Sequence, residues 1–485
     1  MRYTVGQLIT FDMLPDDVLL EISDFYVDED MNEDFEPSEK QWITLAHVCR
    51  CWRSVVFQSP CRLNLRLVCT AKTPARDALD IWPPLPLIIR DSYSILRNDT
   101  SSVDNIIAAL EHNHRVCQIE LSCFSSSQFE YFVNSAAMQK PFPKLTDLRL
   151  SYALLESILP NSFLSGTTPH LRSLSLYNIP FPGLPKLLLS ATHGTHLVDL
   201  SLYDIPRSGY IPPEGMATSL SALTSLESLV LRFRYPPCPA LESRHTPPPP
   251  LTRSILPSLT KILFKGTSKY LEEILARIDA PRLNKLLITF FNQIIFDTPQ
   301  LFQFISRRPT LRAPEKGHIT FIGSEAIIVR FTSQKSDYGV FSVKIPCTVL
   351  EWQLSYLEVC TSSFPPLSVL EDLYIFEDRG CPSRWQDDVE NMLWLDLLRS
   401  FVAVKNLYLS EEFAPRIAPA LQELVGGRTT EVLPTLENIF LEGFQPASGI
   451  LHEGIEKFVA ARHLVAVSCW DTDSKQDRQW EIYDW

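Results

Sequence analysis

One short pattern, L-x-x-L-x-L, recurs along most of this 485-residue chain and limits what the chain can fold into. Strict copies of the pattern begin at Leu145, Leu171, Leu184, Leu197 and Leu226. Looser copies begin at Val116, Leu259, Leu283, Leu370, Val404 and Leu436. Apart from Leu184, which is predicted to belong to a helix, and one gap of 87 residues, the copies start 24 to 34 residues apart, and a proline often precedes them by two positions. Such a period predicts stacked units of one strand and one return segment each.

The unit resembles the leucine-rich repeat, which implies an irregular α/β solenoid with a short strand and a helix or irregular return in each unit. It departs from that family because no regular Asn or Cys follows each strand. Residues 61–310 are assigned to the first part of this region and residues 366–470 to its C-terminal part. The second part is expected to end in a cap, with a helix over His452–Ala461 and a strand over Val465–Trp470.

Two stretches interrupt the period. Residues 235–257 are rich in proline, which favours a surface excursion outside regular structure. Residues 318–345 contain alternating apolar runs separated by Gly and Ser turn signals. These runs predict an antiparallel hairpin or meander, within a β-rich insert over residues 311–365.

Length, charge and cysteine content bound the class of protein. A chain of 485 residues exceeds one ordinary core, so several domains or a repeat array are expected. The net charge of −13 argues against a nucleic-acid binder. Eleven scattered cysteines without a C-x-x-C pair suit a reducing compartment. No apolar run is long enough to span a membrane, so a cytoplasmic or nuclear location is expected, without membrane partners.

The N-terminal region predicts a small all-α module. Pro15 suits a first helical turn, and apolar residues recur after it at helical spacing. An acidic loop follows, and Ser38 with Gln41 forms a capping-box pattern that predicts a second helix continuing to Val56. A module of about fifty residues cannot bury this apolar stripe alone. The stripe must therefore meet the following domain or another protein.

The run Leu14-Pro15-x-x-Val18-Leu19-x-x-Ile22, followed by Leu45-x-x-Val48-Cys49-Arg50-x-Trp52-Arg53, resembles the F-box signature. The resemblance covers residues 11–60, after an N-terminal extension at 1–10. Ser59-Pro60 with the leucines that follow is similar to F-box proteins abundant in mushroom-forming fungi. The long loop 27–40 departs from the commonest F-box.

The resemblance implies that this module binds a Skp-type adaptor, which links it to cullin and RING subunits of a ubiquitin ligase. The residues implied in that contact or its support are Leu14, Pro15, Val18, Leu19, Ile22, Leu45, Val48 and Trp52. The chain would then be a substrate receptor that performs no chemistry itself. The alternative from the residues is that the stripe is ordinary core, and the rival function is a scaffold acting without ubiquitin transfer.

Residues between the paired leucines should face the open side of the sheet and form columns across the units. Tyr374, Tyr408 and Phe440 share one column, and Asp372, Asn406 and Asn438 share the column beside it. Aromatic residues dominate protein interfaces, so these six are predicted to bind a protein substrate. The alternative is that the insert or the polar tail 471–485 covers the aromatic residues and makes them core.

Signals for metals and cofactors are set aside. Acidic residues from Asp28 to Glu39 follow a calcium-loop spacing, but Glu33 stands where that loop requires glycine. A solvated acidic loop is therefore favoured. No phosphate loop, dinucleotide fingerprint or catalytic motif occurs, so no metal, cofactor or catalytic residue is predicted.

Overall fold

The computed structural model describes residues 15–28, 47–58, 66–81, 84–91, 100–122, 126–152, 158–166, 168–190, 196–236, 253–291, 298–323, 325–333, 339–347, 349–362, 367, 369–378, 390–443, 452–462 and 466–470. The chain divides into two compact units, Met1–His196 and Leu197–Trp485. The boundaries that the sequence suggests at residues 60, 310, 365 and 470 stay predictions. No helix in the described part of the chain is both long and apolar enough to cross a membrane.

Unit 1 combines a helical pair with strand–helix repeats. Its elements are α1 (Asp16–Asp28), α2 (Arg50–Gln58), β1 (Leu67–Cys69), α3 (Ala75–Ile81), β2 (Leu87–Asp91), α4 (Thr100–Glu111), β3 (Val116–Leu121), α5 (Ser126–Asn134), β4 (Asp147–Ser151), a 3₁₀ turn (Phe163–Gly166), β5 (Ser173–Tyr177) and α6 (Leu184–Ser190). The strands β1 to β5 pair in chain order, all parallel. The pattern copy at Leu184 lies on a helix, as its position between two strands predicts.

Unit 2 continues with the same kind of repeat. Its first elements are β6 (Asp199–Ile205), a 3₁₀ turn (Arg207–Gly209), α7 (Pro213–Ser221), β7 (Ser228–Phe233), β8 (Ser254–Ile255), β9 (Lys261–Gly266), α8 (Ser268–Leu275), β10 (Ile278–Asp279), β11 (Lys285–Phe290), α9 (Pro299–Ser306) and α10 (Pro309–Arg312). The later elements are β12 (Lys316–Ile322), β13 (Ala326–Thr332), β14 (Val340–Pro346), α11 (Leu350–Ser362), β15 (Asp372–Glu377), α12 (Asn391–Arg399), β16 (Asn406–Leu409), α13 (Ala414–Glu423), β17 (Asn438–Glu442), α14 (Glu453–Arg462) and β18 (Ala466–Trp470).

The sheet of unit 2 runs in the order β6-β7-β9-β11-β14-β13-β12-β15-β16-β17-β18. Adjacent strands of this sheet are parallel, except that β13 pairs antiparallel with both β12 and β14. The alternating runs of residues 318–345 thus form an antiparallel meander. This meander lies within the sheet, because β14 pairs with β11 and β12 pairs with β15.

The leucine positions of the pattern form the core. Leu373, Leu407 and Ile439 occupy matching register positions on β15, β16 and β17, and all three are fully buried. Aromatic residues fill the layer beneath them, where the ring of Phe413 stacks on Phe321 with centroids 4.5 Å apart. Burial of such side chains is the main term that stabilises the repeat. Residues between the leucines face the opposite side of the sheet.

Two local expectations from the sequence are wrong. The second helix of the N-terminal module is interrupted at Cys49, so α2 begins at Arg50. The backbone N–H of Trp52 donates to the Cys49 thiol at 3.5 Å, as at a capped helix start. Within the proline-rich stretch, Ser254–Ile255 forms a short strand paired with β10, because no proline occupies residues 251–256 and their N–H groups can donate.

Candidate binding surfaces

The helical pair presents apolar side chains in two different settings. α1 begins directly after Pro15, whose carbonyl oxygen accepts the N–H groups of Val18 and Leu19. Helices α1 and α2 pack against each other. Val18 and Ile22 lie one turn apart on α1 and are 41% and 39% exposed.

Val48, just before α2, is 52% exposed. Val18, Ile22 and Val48 are referred to below as the apolar trio. By contrast, Leu19 and Trp52 are buried, at 1% and 5% exposure. The predicted adaptor stripe therefore separates into an exposed trio and a buried layer. Pro15 is exposed, whereas Leu14 and Leu45 lie outside the described residues.

Stacked rings run across four strands of unit 2. His318, Tyr374, Tyr408 and Phe440 occupy matching register positions on β12, β15, β16 and β17, and form what we call the aromatic ladder. Their centroids are 4.5 Å apart from His318 to Tyr374, 4.1 Å from Tyr374 to Tyr408 and 4.4 Å from Tyr408 to Phe440. The ring planes differ by only 8–10°, because parallel strands in register hold equivalent side chains at nearly equal orientation.

Exposure changes along the aromatic ladder. His318 and Tyr374 are each 6% exposed, whereas Tyr408 and Phe440 are half-buried. The ammonium of Lys316 lies 5.9 Å from the centre of the Tyr374 ring, a cation–π distance. The insert thus contributes to the ladder as a neighbouring strand, β12, and does not bury Tyr408 or Phe440 completely.

A second ladder of polar side chains lies beside the rings. The Asn406 side-chain amide donates to a carboxylate oxygen of Asp372 at 2.7 Å, and the Asn438 amide donates to the Asn406 carbonyl oxygen at 2.8 Å. These three half-buried residues are referred to as the polar ladder. The donors all point toward Asp372, so the chain of hydrogen bonds ends on a charged acceptor. The arrangement fixes the side chains and leaves the negative end beside Tyr374.

Sequence reasoning placed the six predicted substrate residues in two columns, and the structure places them in adjacent register positions. It missed His318 as a member of the aromatic ladder. The spacing of the repeat gave no copy between Leu283 and Leu370, so residues 316–322 were assigned to an insert instead of a ladder strand. The alternation of His318 with Ile319 and Phe321 was the available signal.

Burial governs the charge state of His318. Burial, together with the neighbouring cations Arg330 and Lys316, lowers the pKa of this imidazole to about 3. The ring is therefore neutral near neutral pH and stacks on Tyr374 as an uncharged aromatic group.

The described residues include no group of three or more His, Cys, Asp or Glu side chains suited to hold a metal ion. Six cysteines are free thiols: Cys49, Cys51, Cys69, Cys117, Cys347 and Cys469. The acidic loop predicted between the first two helices lies largely outside the described residues. The half-buried members of the two ladders and the exposed apolar trio offer aromatic, amide and aliphatic groups for contact.

No family profile matches the sequence, and no curated protein matches it. A crystal structure of the leucine-rich-repeat-containing protein LegL7 from Legionella pneumophila is similar over 82% of this chain and 97% of its own, with 12% identity and a TM-score of 0.29. A TM-score of that size is too low to establish a common fold. The chain's own strands and helices define a mixed α/β fold, in which largely parallel strands are joined by helices.

Proposed function

We propose that this chain is an F-box substrate receptor with a leucine-rich-repeat-like region. In this proposal the helical pair docks a Skp-type adaptor, which brings cullin and RING subunits of a ubiquitin ligase. The repeat region holds a protein substrate, and the chain performs no chemistry itself. Holding both partners raises the effective concentration of substrate near the charged ubiquitin carrier.

The exposure of the apolar trio is the observation that carries the proposal. Val18, Ile22 and Val48 stand at apolar positions of the motif that resembles the F-box, and each residue is 39–52% exposed. Covering an aliphatic side chain of this size stabilises a complex by roughly 1 kcal/mol or more. Leu19 and Trp52, being buried, would support the helices beneath that contact.

The adaptor half of the proposal is tested by capture with purified Skp-type adaptor. The substitutions Val18→Asp and Ile22→Asp are combined, because both side chains are exposed and can change without emptying the core. Ile158→Asp is the matched control, since Ile158 is also an exposed apolar residue of unit 1, at 50%. We expect capture by wild type and control, and at least tenfold less by the double variant. Equal capture by all three would overturn the proposal.

The substrate half rests on the aromatic ladder. Tyr408 and Phe440 are half-buried and held in a fixed stacked geometry, and fixed aromatic side chains lose little entropy on binding. The combined change Tyr408→Ser and Phe440→Ser is expected to reduce recovery of proximity-labelled partners that accumulate under proteasome inhibition. Unchanged recovery would remove these two residues from the substrate site.

Reconstitution with cullin and RING subunits separates the receptor from a scaffold. A receptor supports ubiquitin transfer to a bound partner, and loses that transfer with Val18→Asp and Ile22→Asp. Adaptor capture without assembly of cullin would favour the scaffold that acts without ubiquitin transfer.

A further inference from the structure

A cavity of about 380 Å³ lies in unit 1 where strands β4 and β5 begin. Its lining in the described part of the chain is polar and mostly basic, and consists of Lys144, Thr146, His170, Arg172 and His196. All five residues belong to unit 1, and none of them is acidic. The volume is within the range of small-molecule sites. We call this feature the basic cavity.

The repeat explains why these side chains meet. Lys144, His170 and His196 each stand immediately before the first leucine of a pattern copy, 26 residues apart along the chain. Thr146 and Arg172 each follow that leucine. Strand β4 pairs in register with β5, so equivalent residues of the two units are neighbours, about 4.8 Å apart at the backbone. The lining is therefore built from two adjacent positions of the repeat.

The backbone holds these positions in a fixed geometry. In both units the first leucine closes a turn by donating its N–H to the carbonyl oxygen three residues earlier. The N–H of Arg172 donates to the carbonyl oxygen of Thr146 at 2.7 Å, and the N–H of Thr146 donates to that of Cys117 at 2.8 Å. Leu145 and Leu171, between the lining residues, are buried. The basic side chains thus extend from an ordered edge, which lowers the entropy lost when a ligand binds.

The basic side chains of the cavity are exposed and have no partner within the described part of the chain. The lysine, the arginine and both histidines are exposed, and none of the four side chains forms a hydrogen bond or a salt bridge there. The adjacent acidic residue, Asp147, is half-buried, and one of its carboxylate oxygens accepts from the Thr146 hydroxyl at 2.7 Å. Asp147 forms no salt bridge with Lys144 or Arg172, so both cations stay available to a ligand.

We infer that the basic cavity binds a small polyanion with two or more linked phosphate groups, of which pyrophosphate is the simplest. Lys144 and Arg172 supply two positive charges, and a guanidinium pairs with phosphate through two parallel hydrogen bonds. His170 and His196 each offer an N–H donor in either tautomer. Two cations and two further donors match the oxygens of linked phosphates better than those of a single one.

The size and chemistry of the lining favour a compact ligand. Within the described residues it includes no aliphatic, Phe, Tyr or Trp side chain, so a ligand with a large apolar part finds no matching surface. The chain as a whole has a net charge of −13, which disfavours a long polyanion that would extend beyond the cavity. The inference goes beyond the proposed receptor function, because neither the adaptor nor the substrate contact uses these residues.

Isothermal titration of sodium pyrophosphate into the full chain tests the inference, near neutral pH, at low salt and without adaptor. The variant combines Lys144→Gln with Arg172→Gln, two exposed residues of the lining. The control combines Lys72→Gln with Arg76→Gln, which are also exposed residues of unit 1 but lie outside the lining. The variant and the control therefore have the same net charge.

We expect pyrophosphate to bind wild type and control alike, at least tenfold more tightly than it binds the variant or than orthophosphate binds wild type. Where the variant fails to fold by circular dichroism, Arg172→Lys replaces it. This change keeps the charge and removes the planar pair of donors, so about a threefold loss is expected. Absence of pyrophosphate binding to wild type, or equal binding to wild type and variant, would overturn the inference. Tighter binding of citrate or of a phosphoserine peptide than of pyrophosphate would also overturn it.

Discussion

The ring of Tyr374 lies on the ring of Tyr408 with centroids 4.1 Å apart and planes 8° apart, on adjacent parallel strands. Such a contact repeats along the sheet, so a side chain in the middle of the aromatic ladder has a neighbour on each side. The central member should therefore matter for stability as well as for binding. Comparing alanine with phenylalanine at position 408 separates the contribution of the ring from that of the phenol hydroxyl.

Tyr408→Ala should lower the free energy of unfolding by about 2–3 kcal/mol, because it removes ring contacts with both Tyr374 and Phe440. Tyr408→Phe keeps both ring contacts and should cost less than about 1 kcal/mol. Urea unfolding followed by circular dichroism measures both changes. An equal loss from the two substitutions would mean that the hydroxyl, and not the ring stack, stabilises this position.

Asn406→Ala should be more destabilising than Asn438→Ala. Asn406 donates to Asp372 and accepts from Asn438, whereas the ladder contact of Asn438 is its bond to Asn406. Losing two half-buried hydrogen bonds should cost about 2 kcal/mol, and losing one about 1 kcal/mol. Thermal unfolding of the two variants checks this order, and a reversed order would show that the polar ladder is not a connected chain.

Acid should weaken the fold through His318. The pKa of this imidazole is about 3 in the folded protein and near 6.5 when unfolded, so the unfolded state binds the proton first. Its contribution is constant above pH 6.5, is lost as the pH falls from 6.5 to 3, and changes no further below 3. The loss approaches about 1.4 kcal/mol per pH unit.

His318→Phe keeps a ring in the aromatic ladder and removes that titration. Unfolding free energies of wild type and His318→Phe, measured between pH 4 and 7, should therefore diverge as the pH falls, with the variant keeping more of its stability. Parallel pH profiles would place His318 in a solvated or ion-paired environment instead.

Gly454 makes the close approach of two helices possible. A Cβ atom at this position of α14 would lie 2.2 Å from the carbonyl oxygen of Ala418 in α13, which forces a backbone shift. Gly454→Ala should cost about 1–3 kcal/mol. Gly215→Ala, in helix α7, meets its nearest neighbour at 3.7 Å and should stabilise by about 0.5–1 kcal/mol. Calorimetric unfolding distinguishes the two, and a harmless Gly454→Ala would contradict the close helix contact.

Much of the strand arrangement could be predicted from the sequence because its signal is local. Leu148, Leu174 and Leu407 each lie on a strand. Leucines two positions apart indicate one face of a strand, and the similar spacing between successive pairs indicates the repeat. β1 and β2 were missed because Leu67 and Leu87 lack the full pattern. The parallel pairing of β12 with β15 was also missed, because pairing partners depend on contacts distant in sequence.

The candidate surfaces were predictable in part for the same reason. Tyr374 and Tyr408 share a column because they hold the same place in their repeats, and spacing alone reveals this. The burial of Trp52 beside the exposure of Val48 was not predictable, since both fit one apolar stripe and only packing separates them.

Isothermal titration of a purified Skp-type adaptor into the full chain, compared with its Val48→Asp variant, tests the central claim most directly. Val48 is 52% exposed, so an aspartate there leaves the core intact and places a charge in the proposed contact. The account predicts saturable one-to-one binding to wild type and at least a hundredfold weaker binding to the variant. Absence of binding to folded wild type, or equal affinity for both proteins, would contradict it.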